Sequence, residues 1–257
     1  MEIQKINEFN REEYWKFISN DPVTYFFEMR DFMLNFETSD FWMSKENGMI
    51  TGSMYCNEAK SMRLYGNQDT IVNFIKNMHD IPKYMNFPEG SNKIISMLVK
   101  NQKKRLDMIR LFMRKSEFHG KSTHICFKIK KGEMEEVLDV LKAAEPGDWM
   151  QSTVDDLSVD EENIWYGIRQ DARIVSVCWV QMYSHGGHVA FIATHPDYQN
   201  HGLASSILNY SLLHTFMEHE LSIIHVRENN ANALHCYLKV GYKEKLRYTV
   251  LIDPEMK

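Results

Sequence analysis

Residues 194–208 read THPDYQNHGLASSIL and carry the most informative pattern in the chain. A proline, a polar run and Gly202 stand between the strand-like HVAFIAT (188–194) and an apolar pattern with helical spacing. The stretch predicts a strand that passes into a helix through a glycine turn. The first N–H groups of a helix have no partner within it, and the helix dipole adds partial positive charge there. We therefore expect the turn to bind an anion such as a diphosphate, which small residues at Gly202, Ala204 and Ser205 admit to the backbone.

Strands and helices alternate on both sides of this turn. Period-2 runs predict strands, and runs with 3.6-residue spacing predict helices. The resulting order, β-α-β-β-β-α-β-α-β, indicates a mixed α/β domain. In chain order the predicted elements are a strand at 125–130, a helix at 133–145, strands at 164–169, 173–184 and 188–194, a helix at about 202–218, a strand at 222–226, a helix at 230–240 and a strand at 242–252.

Two motifs in this region resemble those of one enzyme family. QNHGLA (199–204) resembles the Q/R-x-x-G-x-G/A signature of the GNAT (Gcn5-related N-acetyltransferase) family. VRENNANALHCYLKVGY (226–242) resembles the family's downstream motif, with Asn230, then Tyr237, then the Gly241-Tyr242 pair. The resemblance implies a GNAT acyl-CoA N-acyltransferase fold with a splayed central sheet and a catalytic domain at residues 121–257.

The resemblance also implies how acetyl-CoA, the acyl donor, is held. Pantetheine would pair as an added strand with the backbone of Ile192, Ala193 and Thr194. Asn230 would line the groove from the other side, where Ala233 leaves room. The diphosphate would lie on the main-chain amides of Gln199, Asn200, His201, Gly202, Leu203, Ala204 and Ser205.

Two side chains are candidates for catalysis by the same resemblance. Tyr237 matches the family's tyrosine, which protonates the departing thiolate beside the coenzyme. His188 stands where many family members carry a glutamate, and a histidine can also accept the proton of the amine, directly or through water. The alternatives are that Tyr237 packs on the sheet, and that His188 faces solvent while a water chain removes the proton.

The first half of the chain, residues 1–120, predicts a separate, smaller α/β domain. Helices are expected at 10–18 and at 21–34, where Asp21 and Pro22 form a start signal. Asn47-Gly48 predicts a hairpin, and the polar stretch 116–124 a domain boundary. This half resembles the degenerate first half of tandem acyltransferases but lacks a Q-x-x-G-x-A match. We expect a structural or substrate-shaping role, and an unrelated α+β domain is the alternative.

Composition restricts the possible partners. The net charge of −5 argues against a nucleic-acid-binding protein, and the basic run at 100–115 is interrupted by apolar residues, as on a solvated face. The four widely spaced cysteines fit free thiols in a reducing cytoplasm, and no apolar run is long enough to cross a bilayer. His185, His188, His195 and His201 lack the spacing of metal ligands, so no metal is expected.

These patterns lead to one functional expectation and one alternative. We expect an N-acetyltransferase that moves an acetyl group from acetyl-CoA to a primary amine, of a small molecule or a protein, by direct attack in a ternary complex. The protein would be cytoplasmic and either a monomer or a homodimer. The alternative, motivated by the absent glutamate, is a catalytically weak CoA-binding regulatory or scaffold protein.

Overall fold

A computed structural model describes residues 1–57, 60–78, 82–98 and 104–252. The chain divides into two compact units. The first unit comprises residues 1–110, 227–229 and the chain from Lys245 onward, and the second comprises residues 111–226 and 230–244. The division after Arg110 differs from the boundary predicted after residue 120, because the polar stretch 116–124 follows a strand that has already entered the second unit.

Ten elements precede the second unit's own strands and helices. They are β1 (Glu2–Lys5), α1 (Arg11–Asn20), α2 (Phe26–Leu34), β2 (Asp40–Glu46), β3 (Met49–Asn57), β4 (Ser61–Tyr65), α3 (Gln68–Lys76), β5 (Tyr84–Pro88), α4 (Asn92–Leu98) and β6 (Lys104–Arg114). Of the basic run at 100–115, β6 holds the larger part, and residues 100–103 lie outside the described residues.

The remaining elements repeat the order of the first ten. They are β7 (Cys126–Lys128), α5 (Met134–Ala144), α6 (Pro146–Trp149), β8 (Asn163–Gln170), β9 (Arg173–Tyr183), β10 (Gly186–Thr194), α7 (Leu203–Glu218), β11 (Leu221–Arg227), α8 (Ala231–Val240) and β12 (Lys243–Ile252). In both halves a strand and two helices lead to three antiparallel strands, and a helix, a strand, a helix and a strand follow. The predicted mixed α/β fold is confirmed.

Each unit contains a mixed sheet. In the first unit the strand order is β1-β2-β3-β4-β5-β12, and in the second it is β11-β10-β9-β8-β7. All neighbouring pairs are antiparallel except β4–β5 and β10–β11, which are parallel. The chain's last strand therefore lies beside β5 in the first unit, although the sequence assigned it to the second domain.

Helices cover the apolar faces of both sheets. In the second unit, the buried side of α5 packs on Trp165, Val177 and Ala193. In the first unit, one core cluster gathers around Phe74 of α3, and another gathers around Tyr14 of α1. No described helix combines the length and the apolar character that a membrane span requires.

The first half departs from the sequence prediction at α2, which begins at Phe26 rather than after Asp21. The Asp21 carboxylate accepts hydrogen bonds from the Thr24 N–H (3.2 Å) and hydroxyl (2.8 Å). These local bonds stabilise a turn in the segment that the Asp-Pro signal assigned to the helix. The short elements β1, β5 and α4 are additional to the prediction.

Candidate functional site

Strands β10 and β11 separate partway along their length. They pair in parallel at three positions only, from Gly187 opposite Ser222 to Val189 opposite Ile224. The register of β10 against β9 shifts between Val189 and Phe191, and β10 continues beside β9 as far as Thr194. Past Val189, β10 has no paired residue among the described residues of β11, so a gap opens between these two strands. Alternate residues of this segment direct their N–H and C=O groups away from β9, toward the gap.

The predicted coenzyme-pairing residues lie in this segment of β10. Ile192 and Thr194 are half-buried, whereas Ala193 is buried. The Ala193 carbonyl accepts a hydrogen bond from the Ser176 hydroxyl (3.1 Å), and the Thr194 carbonyl accepts one from the Gln199 side chain (3.1 Å). These bonds fix the end of the strand against its neighbours. The gap is consistent with an added extended chain, as the motif implies.

The turn after β10 leaves the start of α7 open. Asn200 and Gly202 both have left-handed backbone conformations, with φ values of 65° and 78°. Gly202 is the N-cap of α7, it has no side chain with which to cap, and the first turn of this helix has no acidic residue. The first amides of α7 are therefore available to an anion.

Conformation, rather than packing, requires glycine at position 202. A Cβ built there would approach the His124 ring at 4.0 Å and meet no other described atom within that distance. A side chain is nevertheless disfavoured by the positive φ. Open space above a strained backbone position is compatible with close approach of a ligand.

The other predicted diphosphate contacts differ in what they can offer. The Gln199 side chain is engaged with Thr194, and His201 Nδ1 lies 3.3 Å from the Tyr198 carbonyl. Leu203 is only 2% exposed, so its contribution is its main chain. Ala204 and Ser205 are half-buried, and the Ser205 hydroxyl lies 3.3 Å from the Cys236 sulfur. The main chain, and not a set of charged side chains, forms this cradle.

Helix α8 carries the remaining predicted coenzyme contacts. Asn230 is its N-cap, and the Asn230 side-chain oxygen accepts a hydrogen bond from the Ala233 N–H (3.1 Å). This capping bond leaves the Asn230 amide nitrogen and the second lone pair of the oxygen to face a ligand. Ala233 is half-buried in the first turn of the helix.

Tyr237 is buried in the second unit, with 8% of its surface exposed. Its hydroxyl makes no hydrogen bond to the described residues. The hydroxyl oxygen is not among the fully buried polar atoms that lack a partner in the described part of the chain. Burial, helped by the nearby Cys236 and Cys178, raises the pKa of Tyr237 well above its usual value. The phenol therefore keeps its proton at neutral pH, so the proton is present when a reaction begins.

His188 belongs to a row of polar side chains that crosses four strands. His188 Nδ1 lies 3.0 Å from the Gln181 side-chain oxygen, and His188 Nε2 lies 3.3 Å from His225 Nδ1. Gln181 stands directly opposite His188 on β9. His225 lies on β11, two residues beyond Ile223, which pairs with His188, and the strand period of two places both on the same face.

The row continues on the opposite side of Gln181. The Gln181 amide nitrogen donates to the Asn163 side-chain oxygen (3.4 Å), and Asn163 donates to both carboxylate oxygens of Asp160 (3.0 Å each). With this amide orientation, His188 carries its proton on Nδ1, toward Gln181, and its Nε2 shares a proton with His225. The two imidazoles can therefore hold or release a proton as a pair.

His225 is the functional candidate that sequence reasoning missed. Its only signal was an ionisable residue within the buried strand SIIHV (222–226). Among the described residues, no three His, Cys, Asp or Glu side chains gather as metal ligands.

The fold and the site define an α/β protein in which a parted sheet lies beside a helix with an open N-terminus. Residues 134–242 match the family model described as acetyltransferase (GNAT) family. The prediction from the motifs is confirmed: residues 134–242 form a domain of the GNAT acetyltransferase family. No curated protein sequence matches the chain significantly.

Several solved structures resemble the chain along its full length. A GCN5-related N-acetyltransferase from Sphaerobacter thermophilus is 11% identical, with 98% of this chain and 95% of that chain covered and a TM-score of 0.61. A Drosophila protein is 10% identical, with 98% of each chain covered and a TM-score of 0.68. A tandem GNAT protein from the clavulanic acid biosynthesis pathway is also 10% identical, with 98% of each chain covered and a TM-score of 0.53. At these identities the likeness is one of fold, and it extends to the first half.

Proposed function

We propose that the second unit transfers an acetyl group from acetyl-CoA to a primary amine, within a complex that holds both substrates. The observation that carries the proposal is the combination of parted strands β10 and β11 with the open start of α7. An extended pantetheine arm fits the first, and a diphosphate fits the second. The family match of residues 134–242 supports the same reaction class.

The main chain accounts for binding in this proposal. Each hydrogen bond from a backbone N–H to a charged phosphate oxygen contributes about 1.5–3 kcal/mol. The amides at Gly202, Leu203 and Ala204 belong to a helix start that no side chain caps, so they are preorganised for such bonds. The N–H groups of β10 near Ala193 are the candidates for polarising the acyl carbonyl.

The histidine pair accounts for activation of the amine. A primary ammonium with a pKa of about 10.4 is not a nucleophile until it has lost a proton. His188 and His225, joined at 3.3 Å, can accept this proton when the pair is singly protonated or neutral. In this proposal His188 replaces the family's glutamate as the base, and the Gln181 side chain orients its imidazole ring.

Tyr237 accounts for the leaving group. Acetyl-CoA supplies a thioester, whose C–S bond breaks as the bond between the amine nitrogen and the acyl carbon forms. The thiolate sulfur takes a proton from the Tyr237 hydroxyl, and the resulting phenolate recovers one from solvent. The raised pKa of Tyr237 ensures that the phenol is protonated at the start of each cycle.

A Tyr237→Phe variant tests the proposal with the full chain. Release of free thiol from acetyl-CoA is followed over a panel of primary amines, and coenzyme binding is measured by calorimetry. We expect the variant to lose about 100-fold or more in turnover and to bind the coenzyme as the wild type does. A wild type that binds the coenzyme tightly but turns over no amine would support the scaffold alternative instead.

A further inference from the structure

The first unit repeats the strand separation of the second. Strands β4 and β5 pair in parallel at three positions, from Ser61 opposite Tyr84 to Arg63 opposite Asn86. Both strands continue beyond this point, to Tyr65 and Pro88, without further pairs between them. The two halves of the chain therefore share both their order of elements and the opening between their parallel strands.

The coenzyme cradle is not repeated. In the first unit only Gly66 and Asn67 lie between β4 and α3, and the Asn67 side-chain oxygen accepts from the Thr70 N–H (2.9 Å). The start of α3 also carries Asp69, whose charge opposes an anion. In addition, a Cβ at Gly66 would lie 2.7 Å from Thr70 Cγ2. The turn is closed by its own residues, so a diphosphate has no place there.

A cavity nevertheless remains where β4 and β5 separate. Its volume is about 220 Å³, and Leu64 and Tyr65 line one side while Asn86 and Phe87 line the other. A cavity of about 150 Å³ holds a benzene molecule, so this one admits a ligand of about ten non-hydrogen atoms. It is far too small for a coenzyme.

Arg110 gives this cavity its charge. The residue lines the cavity but is only 3% exposed, and its guanidinium donates to the carbonyl oxygens of Val23 (2.9 Å) and Thr24. It also lies over the rings of Phe27 and Tyr248, at 5.4 and 5.9 Å. The described lining residues include a second arginine, Arg247, which is paired with Glu228, and they include no carboxylate.

The other polar groups in the cavity are neutral. The Asn86 side-chain amide makes no hydrogen bond to the described residues. Burial, together with the charge of the nearby Glu28, raises the pKa of Tyr25 and of Tyr65 well above the usual value, and burial raises that of Tyr248 to about 12. All three phenols stay protonated near neutral pH, so they add rings but no negative charge, and the Tyr65 hydroxyl is engaged with Glu28.

We propose that this cavity of the first unit binds a small carboxylate with a flat, apolar body, and that Arg110 and Asn86 hold the carboxylate group. The aromatic rings enclose the body, and the buried cation selects an anion over a neutral or cationic molecule of the same shape. The site is separate from the proposed coenzyme groove of the second unit and does not depend on it.

The test uses the full chain, with benzoate as the probe and benzamide as its neutral isostere. Calorimetry or ligand-observed NMR should show saturable binding of benzoate and about tenfold weaker binding of benzamide. Asn86→Asp keeps the shape and adds a negative charge, so benzoate affinity should fall about tenfold or more. Arg110→Met should have the same effect, and Arg105→Met, which removes an exposed arginine outside the cavity, should have none.

Three results would overturn the proposal. They are the absence of saturable benzoate binding, equal affinities for benzoate and benzamide, and unchanged benzoate affinity in Asn86→Asp. The last variant retains the side-chain shape, so it decides the question even if Arg110→Met does not fold. Coenzyme binding is measured on the same samples. It should not change in Asn86→Asp, which separates a failure of this site from a failure of the proposed acetyl transfer.

Discussion

Gly48 and Gly202 show how one backbone conformation can serve two purposes. Their φ values are 79° and 78°, and in neither place is packing against described neighbours the reason for glycine. Gly48 closes the two-residue turn between β2 and β3. Gly202 opens the start of α7. At Gly48 the hairpin turn requires this conformation. At Gly202 the same conformation leaves main-chain N–H donors uncovered.

Alanine at each of these glycines separates strain from binding. Gly48→Ala and Gly202→Ala should each lower the free energy of unfolding by about 1 kcal/mol, because a Cβ disfavours the left-handed region. Only Gly202→Ala should also weaken coenzyme binding, by about tenfold, since its methyl group stands over the cradle. Urea denaturation and calorimetry measure the two effects. Coenzyme affinity that is equal in both variants would remove Gly202 from the site.

The histidine pair predicts a dependence of the rate on pH. An imidazole accepts a proton only when it is unprotonated, so kcat/KM should rise with pH as the pair is deprotonated. Gln181→Glu places a carboxylate beside His188 Nδ1, which favours the imidazolium form and raises the pKa of the pair. The rising limb of the pH–rate profile should therefore move to higher pH in this variant.

Two histidine variants serve as controls for this shift. His225→Asn should lower kcat/KM by about 100-fold, because it removes half of the pair. His235→Asn, at an exposed position on α8, should leave the profile unchanged. A limb at the same pH in the wild type and in Gln181→Glu would count against His188 as the base.

At this scale, sequence reasoning identified one half of the pair. His188 was predicted from its place before the coenzyme-pairing strand segment. Its partner was not, because the contact with His225 depends on the register of β10 against β11, and no local pattern specifies that register. The sequence predicted Tyr237 as a candidate residue. The rise of its pKa depends on burial, which only the fold provides.

At the scale of elements, the helix starts differ more than the helices themselves. Asn67 and Asn230 cap α3 and α8 in the same way, with oxygen-to-nitrogen distances of 2.9 and 3.1 Å. Only the second cap belongs to the proposed coenzyme site. The first closes a turn that has no ligand, and this difference offers a matched comparison.

Removing the two caps should have equal effects on stability and unequal effects on binding. Asn67→Ala and Asn230→Ala each lose one capping bond, which should lower the free energy of unfolding by about 1 kcal/mol. Coenzyme affinity should fall in Asn230→Ala and stay constant in Asn67→Ala. Thermal denaturation and calorimetry compare them, and an unaltered affinity in both would place the coenzyme away from α8.

Element boundaries were harder to predict than element types. The hairpin at Asn47-Gly48 is confirmed, because both residues adopt the positive φ that the turn requires. The start of α2 was wrong, because the Asp21 side chain bonds to Thr24 and holds a turn instead. Strand β5, only five residues long and ended by Pro88, carries too little periodicity to be found without its neighbours.

For the whole molecule, buried tyrosines predict sensitivity to alkaline pH. Burial raises the folded-state pKa of several phenols above the unfolded value of about 10. Their contribution to stability is therefore complete below pH 10 and is lost as the pH rises toward the higher folded-state values. Residues of this kind in the two units are Tyr14, Tyr25, Tyr65, Tyr166, Tyr237, Tyr242 and Tyr248.

Denaturation at several pH values measures this effect. The free energy of unfolding should be nearly level with respect to these groups up to about pH 9.5 and should fall steeply above pH 10. Tyrosinate absorbance should rise in the same pH range in which far-ultraviolet dichroism is lost, because buried phenols ionise as the chain unfolds. Full ionisation of all twelve tyrosines with dichroism intact would contradict the prediction.

The repeated order of elements was apparent from the sequence in one half only. The second half carries both motifs, whereas the first lacks the glycine signature, because the two-residue turn before α3 is closed by Asn67. The repeat is therefore one of topology and not of residues. Similarity along the full chain to a tandem GNAT structure agrees with this arrangement.

Strand β12 has a consequence for synthesis on the ribosome. It pairs with β5 through five residues, from Tyr248 to Ile252, and Lys245 and Thr249 bond to Asp21 and Asp107 of the same unit. The half of the protein that is translated first thus cannot complete its sheet until β12 has been translated. Until then, β5 presents an open edge to any neighbouring nascent chain. A nonsense mutation that removes β12 would leave the sheet of the first unit unfinished.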